Sequence, residues 1–396
     1  MTAQRNLTPG LLAVLAFLVS VGPFATDMYL VSFTSISADL GASASAVQLT
    51  ITAFLVGIGA GQLILGPLSD QYGRRTVLLI TLTVFTASSI ALVFTPNIEV
   101  FIALRLVQGL AGAGGIVISR AIAADLTEGD ATIRALSLIA TLIGLGPLIA
   151  PPIGGAVESL SSWRGVLAVL AALGVVMLLL AVFLVPESLP KHERHSAGFR
   201  PILSAFGTLL RDARFRMLLG TFGLAFAAIM AYISASPFVG QVVLGMSPLL
   251  YSLGFGVGAL GLVGGSFASA RLAGRVRPQL LILLGAALLL LSGAVALTTA
   301  LTDTMTVPLF IAMAFVLSAG SGLIMSNSSA VALGLAGRAR GSASALLGAT
   351  QFALGAVVSP LVGAWGEDTA VPMAGFVLGT AIVAAAGSLA VLRAVR

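Results

Sequence analysis

Cysteine is absent from the 396-residue chain, and charged side chains make up only 9% of it. The lack of cysteine excludes a disulfide framework, a thiolate nucleophile and any zinc or iron–sulfur site built on cysteine. A soluble globular protein carries about 25% charged residues, so this chain has too little polar surface to remain in water. Apolar residues account for 58% of the chain. The composition predicts a polytopic membrane protein.

Sequence motifs for ATP-driven or hydrolytic chemistry are also missing. The chain has no Walker lysine motif, no G-x-S-x-G nucleophile elbow and no H-E-x-x-H zinc helix. His192 and His195 have a spacing that two metal ligands can use, but no third ligand lies nearby in the sequence. A solvated loop is their expected role. We therefore expect no metal site, no cofactor and no enzymatic activity.

Intervals poor in charge are long enough for twelve crossings of a bilayer, since about 20 apolar residues span the hydrocarbon core. In the first half, these intervals predict helices near 11–34, 45–68, 76–95, 99–122, 135–157 and 164–186. The second half predicts two helices within 217–270, with a turn at 245–248, and one in each of 278–302, 304–337, 341–366 and 369–392. We expect an all-α membrane fold of two pseudo-symmetric six-helix bundles, 1–186 and 215–396, joined by a cytoplasmic central loop, 187–214.

Basic residues divide unequally between the two sides of these predicted spans. Of the 20 Lys and Arg residues, Arg164 lies in an odd-numbered loop and Arg105 lies inside a span, while the others lie in even-numbered loops or termini. The positive-inside rule then places both termini in the cytoplasm. This asymmetry accounts for the net charge of +6 without nucleic acid. The exported loops are expected to hold acids, namely Asp39, Glu99, Glu158, Asp303, Glu367 and Asp368.

A short internal repeat supports the division into halves. The pattern Gly146-x3-Ala150-Pro151-x2-Gly154 in span five recurs as Gly355-x3-Ser359-Pro360-x2-Gly363 in span eleven. Chance is the alternative, because small residues are common in membrane helices. Repeated halves with the substrate site at their interface are typical of secondary transporters.

Asp27 and Arg105 are the two ionisable residues well inside predicted spans. A charge at bilayer depth costs a few kcal/mol, which makes each of them a functional candidate. Asp27 follows Gly22 and Pro23, which loosen the helix and can admit water. Desolvation favours the neutral form of a carboxylate, which is the property that a proton-coupling acid needs. A permanent structural ion pair between Asp27 and Arg105 is the alternative.

Arg105 cannot release its proton, but it can bias a neighbouring acid or bind an anionic group. Gln108 lies three residues later on the same helical face. The second half has no charge inside its spans and offers an apolar, hydrogen-bonding wall. Helix–helix hydrogen bonding is the alternative role for each of its polar residues. The candidate substrate contacts are Tyr29, Gln108, Tyr232, Ser236, Asn327 and Gln351.

Residues 66–75, after span two, combine a turn, an acid and two bases. Gly73 permits a tight turn, and Asp70 beside Arg74 can form a state-dependent ion pair. Arginines that merely snorkel to the interface would require neither the acid nor the glycines. This stretch is therefore predicted to act as a conformational latch.

These residues resemble the major facilitator superfamily, and within it the Bcr/CflA group of drug:proton antiporters. Gly66-x3-Asp70-x2-Gly73-Arg74-Arg75 is similar to the first signature of the superfamily, although Gln71 stands where a basic residue is common. Arg105-x2-Gln108-Gly109 is similar to the signature of the fourth helix, whose arginine is implicated in proton transfer. Asp125 stands where that helix typically ends in an acid that can pair with the loop arginines.

Three further stretches carry the resemblance to the antiporter group. Gly146-x3-Ala150-Pro151-x2-Gly154-Gly155 is similar to the antiporter signature of helix five, with Ala150 in place of the usual glycine. Residues 23–30 resemble the first-helix stretch of the group, although Val31 replaces an expected proline, and residues 234–239 resemble its seventh helix.

The resemblance implies proton-driven export of small, often amphipathic antimicrobials, such as chloramphenicol-like, bicyclomycin-like or sulfonamide drugs. It implies alternating access in a bacterial cytoplasmic membrane, by a monomer that uses no cofactor. Two alternatives remain at this point: the same fold moving a metabolite such as a sugar or amino acid, and a membrane sensor without transport. The scarcity of charges in the spans weighs against the first, and the absence of a sizeable soluble domain weighs against the second.

Overall fold

The computed structural model describes residues 7–128, 130–191, 194, 199–365 and 368–394. Every regular element in these residues is a helix. This is the expected outcome for a chain of this composition, because a helix satisfies its own backbone hydrogen bonds in lipid, where no water is present to do so.

Helices of the first half run from α1 to α8. Their bounds are α1 (Pro9–Val19), α2 (Val21–Asp27), α3 (Phe33–Leu40), α4 (Ala44–Tyr72), α5 (Arg74–Val93), α6 (Ile98–Asp125), α7 (Asp130–Leu160) and α8 (Trp163–Leu184). Those that follow are α9 (Phe199–Arg211), α10 (Ala213–Phe238), α11 (Pro248–Leu272), α12 (Pro278–Leu301), α13 (Val307–Leu335), α14 (Arg340–Gly363) and α15 (Val371–Ala394).

Within the described residues, 11 helical stretches are long and apolar enough to cross a membrane, with Pro9–Leu40 counted as one broken stretch. They match eleven of the predicted spans. Helix α7, with 31 residues and three internal prolines, occupies the place of the predicted fifth span. The multi-pass, all-helical fold is confirmed, whereas a count of twelve crossings stays a prediction at α7.

Local sequence signals explain where several helices begin. Ser43, Asn97 and Ser162 accept hydrogen bonds from main-chain N–H groups in the first turns of α4, α6 and α8. Asp212 caps α10 by accepting from the Arg214 N–H at 2.8 Å, and hydrogen bonds from Arg214 lower the pKa of this carboxyl. Gly245, with a φ of 65°, forms the predicted turn ahead of α11.

Span one is interrupted in the middle. Helix α2 ends at Asp27, a 3-10 turn covers Leu30–Ser32, and α3 resumes at Phe33. Pro23 lies inside α2 and has no N–H to donate, so the hydrogen-bond ladder is already weakened there. The sequence predicts a loosened helix at this place, and the structure shows a break directly after Asp27.

The two halves meet through two helix pairs. Helix α4 packs against α14, and α7 packs against α11. Helices α4 and α11 are the second spans of their halves, and α7 and α14 are the fifth spans. Each pair therefore joins the second span of one half to the fifth span of the other, as a pseudo-two-fold relation between the halves requires. The boundaries 1–186 and 215–396 stay a prediction from the sequence. The predicted central loop 187–214 also contains helix α9, which the sequence reading did not foresee.

Three acids assigned to exported loops lie in helices instead. Asp39 is in α3, Glu99 is in the first turn of α6, and Glu158 is in the last turn of α7. The loop expectation was wrong there because these helices extend past the charge-poor intervals. Asp303 and Asp368 lie outside helices as expected, and Glu367, like His192 and His195, lies outside the described residues.

Close helix packing makes one stability prediction. A methyl group on Gly109 of α6 would overlap the main-chain carbonyl of Phe54 in α4. We expect Gly109→Ala to lower the free energy of unfolding by about 1–3 kcal/mol, the usual cost of overpacking. Gly264→Ala in α11 is the control, since its added methyl meets nothing within 4 Å. Unfolding midpoints in detergent measure both, and equal midpoints would contradict the packing account.

Candidate functional site

Residues 66–75, the predicted latch, contribute to a polar cluster around Arg74. Gly73, with a φ of 98°, turns the chain from α4 into α5 and brings the Arg74 side chain between two acids. One terminal guanidinium nitrogen lies 2.5 Å from Asp70 and donates to the Ser69 hydroxyl at 2.7 Å, and Nε lies 3.0 Å from Asp125. The structure therefore brings Asp70, Arg74 and Asp125 together.

Glu187 completes this cluster and was missed from the sequence. Its carboxylate accepts the main-chain N–H of Arg74 at 2.9 Å and lies 3.2 Å from an Arg194 guanidinium nitrogen. The next residue, Ser188, donates to Asp125 at 2.8 Å. The sequence feature that could have identified Glu187 is its position directly after the last predicted span of the first half, 164–186.

Gly66 and Arg75 do not join the acids of the cluster. Arg75 donates to the main-chain carbonyl of Val182 at 2.7 Å, which ties α5 to α8. A methyl group on Gly66 would meet Val117 at 3.5 Å, an ordinary contact. The described residues therefore form a cluster centred on Arg74, with Gly73 as its turn, and its action as a latch stays a prediction.

Asp27 is buried, with 6% of its surface exposed, at the last position of α2. Within the described part of the chain it forms no salt bridge, so the alternative of a permanent pair with Arg105 does not hold in this conformation. Asp27 is therefore a buried acid that has no ion pair among the described residues.

Arg105 is fully buried and is paired with aromatic rings and an amide. Its guanidinium carbon lies 4.2 Å from the ring centres of both Tyr29 and Phe54, a cation–π arrangement. It donates to Gln108 at 2.6 Å, and Gln108 donates in turn to Ser89 at 2.7 Å. Two Arg105 nitrogens, Nε and one terminal nitrogen, have no hydrogen-bond partner among the described residues.

The second half places Tyr232 and Ser236 in a buried aromatic cluster. The Ser236 and Tyr251 hydroxyls are 2.8 Å apart, and the Tyr232 ring stacks on Phe255 with 6.0 Å between centroids. Phe310 covers the Tyr232 ring at 5.8 Å. Tyr251 was missed from the sequence, although the chain has only four tyrosines.

No hydrogen bond among the described residues joins Asn327 or Gln351 to this cluster. The Asn327 amide donates to Leu323 of its own helix at 2.8 Å, which is helix-internal bonding. Gln351 is half-buried on α14. Their role as substrate contacts stays a prediction.

The small residues of α7 pack against the break in span one and against the second half. Added methyl groups would overlap Pro23 at Gly146, the Met28 carbonyl at Gly154 and the Ser252 hydroxyl at Gly155. Pro151 lies between these contacts, inside the helix. Helix α7 therefore contacts both the turn after Asp27 and helix α11.

A sequence model of the Major Facilitator Superfamily matches residues 15–360. The chain belongs to the Major Facilitator Superfamily. It is 37% identical over 383 residues to an uncharacterized MFS-type transporter, YdgK, of Bacillus subtilis, covering 95% of this chain and 93% of the relative. It is 31% identical over 380 residues to a bicyclomycin resistance protein homolog of Haemophilus influenzae, covering 96% and 95%.

Solved structures of superfamily transporters share the fold at low sequence identity. A bacterial homolog of the human lysosomal transporter Spinster, in an inward-facing and unoccupied conformation, superposes with a TM-score of 0.76 at 16% identity. The match covers 99% of this chain and 98% of that one. This superfamily member is therefore a multi-pass membrane transporter.

The Arg105 network predicts a stability effect that a substitution can test. Gln108→Leu removes the one side-chain acceptor of a fully buried guanidinium, so we expect it to cost about 2 kcal/mol of unfolding free energy. Ser89→Ala removes only the neutral acceptor of the Gln108 amide and should cost about 1 kcal/mol. Thermal unfolding in detergent compares the two. A Gln108→Leu protein no less stable than Ser89→Ala contradicts the pairing.

Proposed function

We propose that this transporter exports small, often amphipathic antimicrobials across the bacterial cytoplasmic membrane in exchange for protons. The drug class is supported by the names of two relatives, the bicyclomycin resistance protein homolog and Multidrug resistance protein D of Escherichia coli. The structural observation that carries the proposal is the unpaired, buried carboxylate of Asp27 at the break in span one.

The position of Asp27 fits a proton carrier for two reasons. The turn after it is fully buried in this conformation, and the interruption of the helix gives span one a place to bend and admit water when the halves move. The carboxylate can gain and lose a proton without breaking an ion pair, because it has none in the described residues.

Arg105 supplies a permanent positive charge near this acid. Tyr29, two residues after Asp27, lies under the guanidinium. The two nitrogens without a hydrogen-bond partner are the donors that an anionic group of a drug, or Asp27 in another conformation, would meet. Tyr232, Ser236 and Tyr251 provide aromatic faces and hydroxyls for the remainder of a substrate.

The proposed mechanism is alternating access, with the two halves rocking about the α4–α14 and α7–α11 pairs. Hydrogen bonds between the halves lie toward the helix ends at the odd-numbered loops. Thr52 donates to the Ala356 carbonyl at 3.1 Å, and Gln241 donates to the Val31 carbonyl at 2.8 Å. With the arginine-rich face in the cytoplasm, these contacts close the export side.

The cycle needs no cofactor under this proposal. Drug enters from the cytoplasm or inner leaflet while Asp27 is ionised, or displaces its proton. After the outward switch, Asp27 takes a proton from outside and the drug leaves. The inward return with the proton, followed by release of the proton into the cytoplasm, closes the cycle. The membrane potential contributes about 2.3 kcal/mol per charge per 100 mV, and a pH gradient adds to this.

Asp27→Asn tests the proposed coupling. We expect uphill export to be abolished, because the amide cannot carry a proton, while folded protein remains in the membrane. Proteoliposomes with an imposed pH gradient measure flux and drug-induced proton release for a panel of chloramphenicol-like, bicyclomycin-like and sulfonamide drugs. Asp39→Asn is the control, since it changes an exposed acid of the same span that pairs with Arg164 at 2.5 Å.

Full uphill export by Asp27→Asn would remove this acid from the mechanism. A flux response to metabolites alone would favour a metabolite transporter of the same fold, and no flux with any solute would favour a role without transport.

Asp70→Ala tests the latch around Arg74. Removing Asp70 leaves the Arg74–Asp125 contact at 3.0 Å, so we expect folding and drug binding to persist. The maximal transport rate should fall more than the binding affinity, because the pair changes partners between conformations. Rate and affinity measurements on the same preparation decide this. Equal loss of both indicates that Asp70 acts in folding.

A further inference from the structure

Helix α9 (Phe199–Arg211) lies in the predicted central loop and, with 13 residues, is too short to cross the bilayer. It packs against α10 and α14 of the second half. Asp212 alone separates it from α10, and α14 begins at Arg340, so both contacts lie at the ends of these spans next to the even-numbered loops. The positive-inside rule predicts that those loops are cytoplasmic. Helix α9 therefore lies beside the predicted cytoplasmic surface of the membrane.

The sequence of α9 is amphipathic. Apolar residues stand at positions 199, 202, 203, 206, 209 and 210, and their recurrence every three or four positions places them on one face of the helix. On this face Leu209 is buried in the hydrophobic core and Phe206 is half-buried. On the other face Ser204 and Thr208 are exposed.

Leu210 is the described residue of the apolar face that the protein leaves uncovered. It follows Leu209 on that face, yet 39% of its surface is exposed. The second half therefore covers one edge of the apolar face, at Leu209, and leaves the other edge, at Leu210, open to the surroundings.

Arginines outnumber acids around α9. Residues 199–216 contain one acid, Asp212, and four arginines, Arg200, Arg211, Arg214 and Arg216. Four positive charges against one negative charge give this segment a net charge of +3. The one acid is occupied, because its carboxylate lies 3.2 Å from the Arg214 guanidinium.

Arg211 and Arg340 are exposed and form no salt bridge in the described part of the chain. Arg211 follows Leu210 about 100° further round the helix, between the uncovered edge and the polar face. Arg340 begins α14, the helix that α9 contacts. Arg216 donates to the Leu210 and Arg211 carbonyls at 2.6 Å and 3.0 Å, which fixes the end of α9 that carries these residues.

We propose that α9 binds anionic phospholipid in the cytoplasmic leaflet, with Leu210 among the upper acyl carbons and Arg211 on the headgroup phosphates. The charge is complementary, since unpaired arginines border an uncovered apolar edge and the leaflet offers phosphates above acyl chains. A long arginine side chain reaches the phosphates while its neighbour lies deeper. The inference does not require drug export, because it uses only the predicted cytoplasmic position of the even-numbered loops.

The bound lipid would lie next to a joint between the halves. Helix α9 contacts α14, and α14 forms one of the two helix pairs that join the halves, with α4. The anionic lipid content of the leaflet would therefore act on the second half at one of its contacts with the first.

Quenching of a fluorophore by spin-labelled lipid tests the proposal on the full-length transporter. Because the chain has no cysteine, Leu210→Cys gives a single site for an apolar, environment-sensitive fluorophore. The vesicles contain phosphatidylcholine alone or an equal mixture of phosphatidylcholine and phosphatidylglycerol, with the same fraction of lipid that carries a nitroxide near the headgroup. Thr208→Cys, on the polar face of the same helix, is the matched control site.

In the phosphatidylglycerol vesicles we expect severalfold stronger quenching at position 210 than at position 208. Quenching at 210 should fall in phosphatidylcholine alone. It should also fall when salt rises from about 0.1 M to about 1 M, because the screening length shortens from about 10 Å to about 3 Å.

The role of Arg211 is tested in the Leu210→Cys background. Arg211→Gln should lose most of the difference between the two lipid compositions. Arg275→Gln removes the same charge at an exposed arginine between α11 and α12 and should keep the difference. Gel filtration in detergent checks that each variant elutes as the unsubstituted transporter does.

Equal quenching at 210 and 208 overturns the inference, as does quenching at 210 that is the same with and without phosphatidylglycerol. A probe at 210 that is protected from both the lipid quencher and a water-soluble quencher indicates a protein partner, such as a second copy of the chain, and also overturns it. A lipid difference that survives in Arg211→Gln overturns the assignment of the headgroup contact. None of these readouts involves drug flux, so failure of the proposed antiport leaves them unchanged.

Discussion

The break in the backbone hydrogen-bond ladder of span one determines much of the surrounding structure. Main-chain groups without helical partners are tolerated at bilayer depth only where protein or enclosed water covers them. The turn after Asp27 is accordingly enclosed by Gly154 of α7, which packs on the Met28 carbonyl. Residues 30–40, beyond it, are held by Glu158 and Gln241. The need for close cover explains Gly146 and Gly154 of α7, whereas Gly155 packs on Ser252 of α11.

The two charged residues inside the spans, Asp27 and Arg105, do not form an ion pair with each other. Arg105 lies between two aromatic rings and donates one hydrogen bond to Gln108. Cation–π contacts and this hydrogen bond stabilise its positive charge without an acid. Asp27 remains separate from it. An acid and a base that do not neutralise each other can each respond to a third charge, such as a proton or a drug. A paired arrangement would have been more inert.

The sequence was sufficient for the all-helical membrane fold and for finding the buried charges of the candidate site. Charge-poor intervals predict the spans because bilayer thickness sets helix length, and rare intramembrane charges single out Asp27 and Arg105. The Asp70–Arg74 pair follows from spacing along one helix end and the Gly73 turn.

The missed residues are those whose roles depend on contacts between distant segments. Glu187 reaches Arg74 from a different helix, and Glu158 reaches Ser32 across 126 positions of sequence. Tyr251 of α11 joins the candidate site through a hydrogen bond between its hydroxyl and that of Ser236 on α10. Periodicity and motif spacing hold no information on such pairings. Helix ends were also misplaced, because helices extend beyond the apolar core and carry acids such as Glu158 into regular structure.

The Arg74 cluster also changes where the connection between the halves begins. Helix α8 ends at Leu184, but the connecting chain after it stays attached to the first half. Glu187 is hydrogen-bonded to Arg74, and Ser188 is hydrogen-bonded to Asp125. The tether between the halves is therefore shorter than the interval between α8 and α10. Under the proposed alternating access, a rearrangement of Arg74 that frees Glu187 and Ser188 would lengthen the chain that joins the two halves.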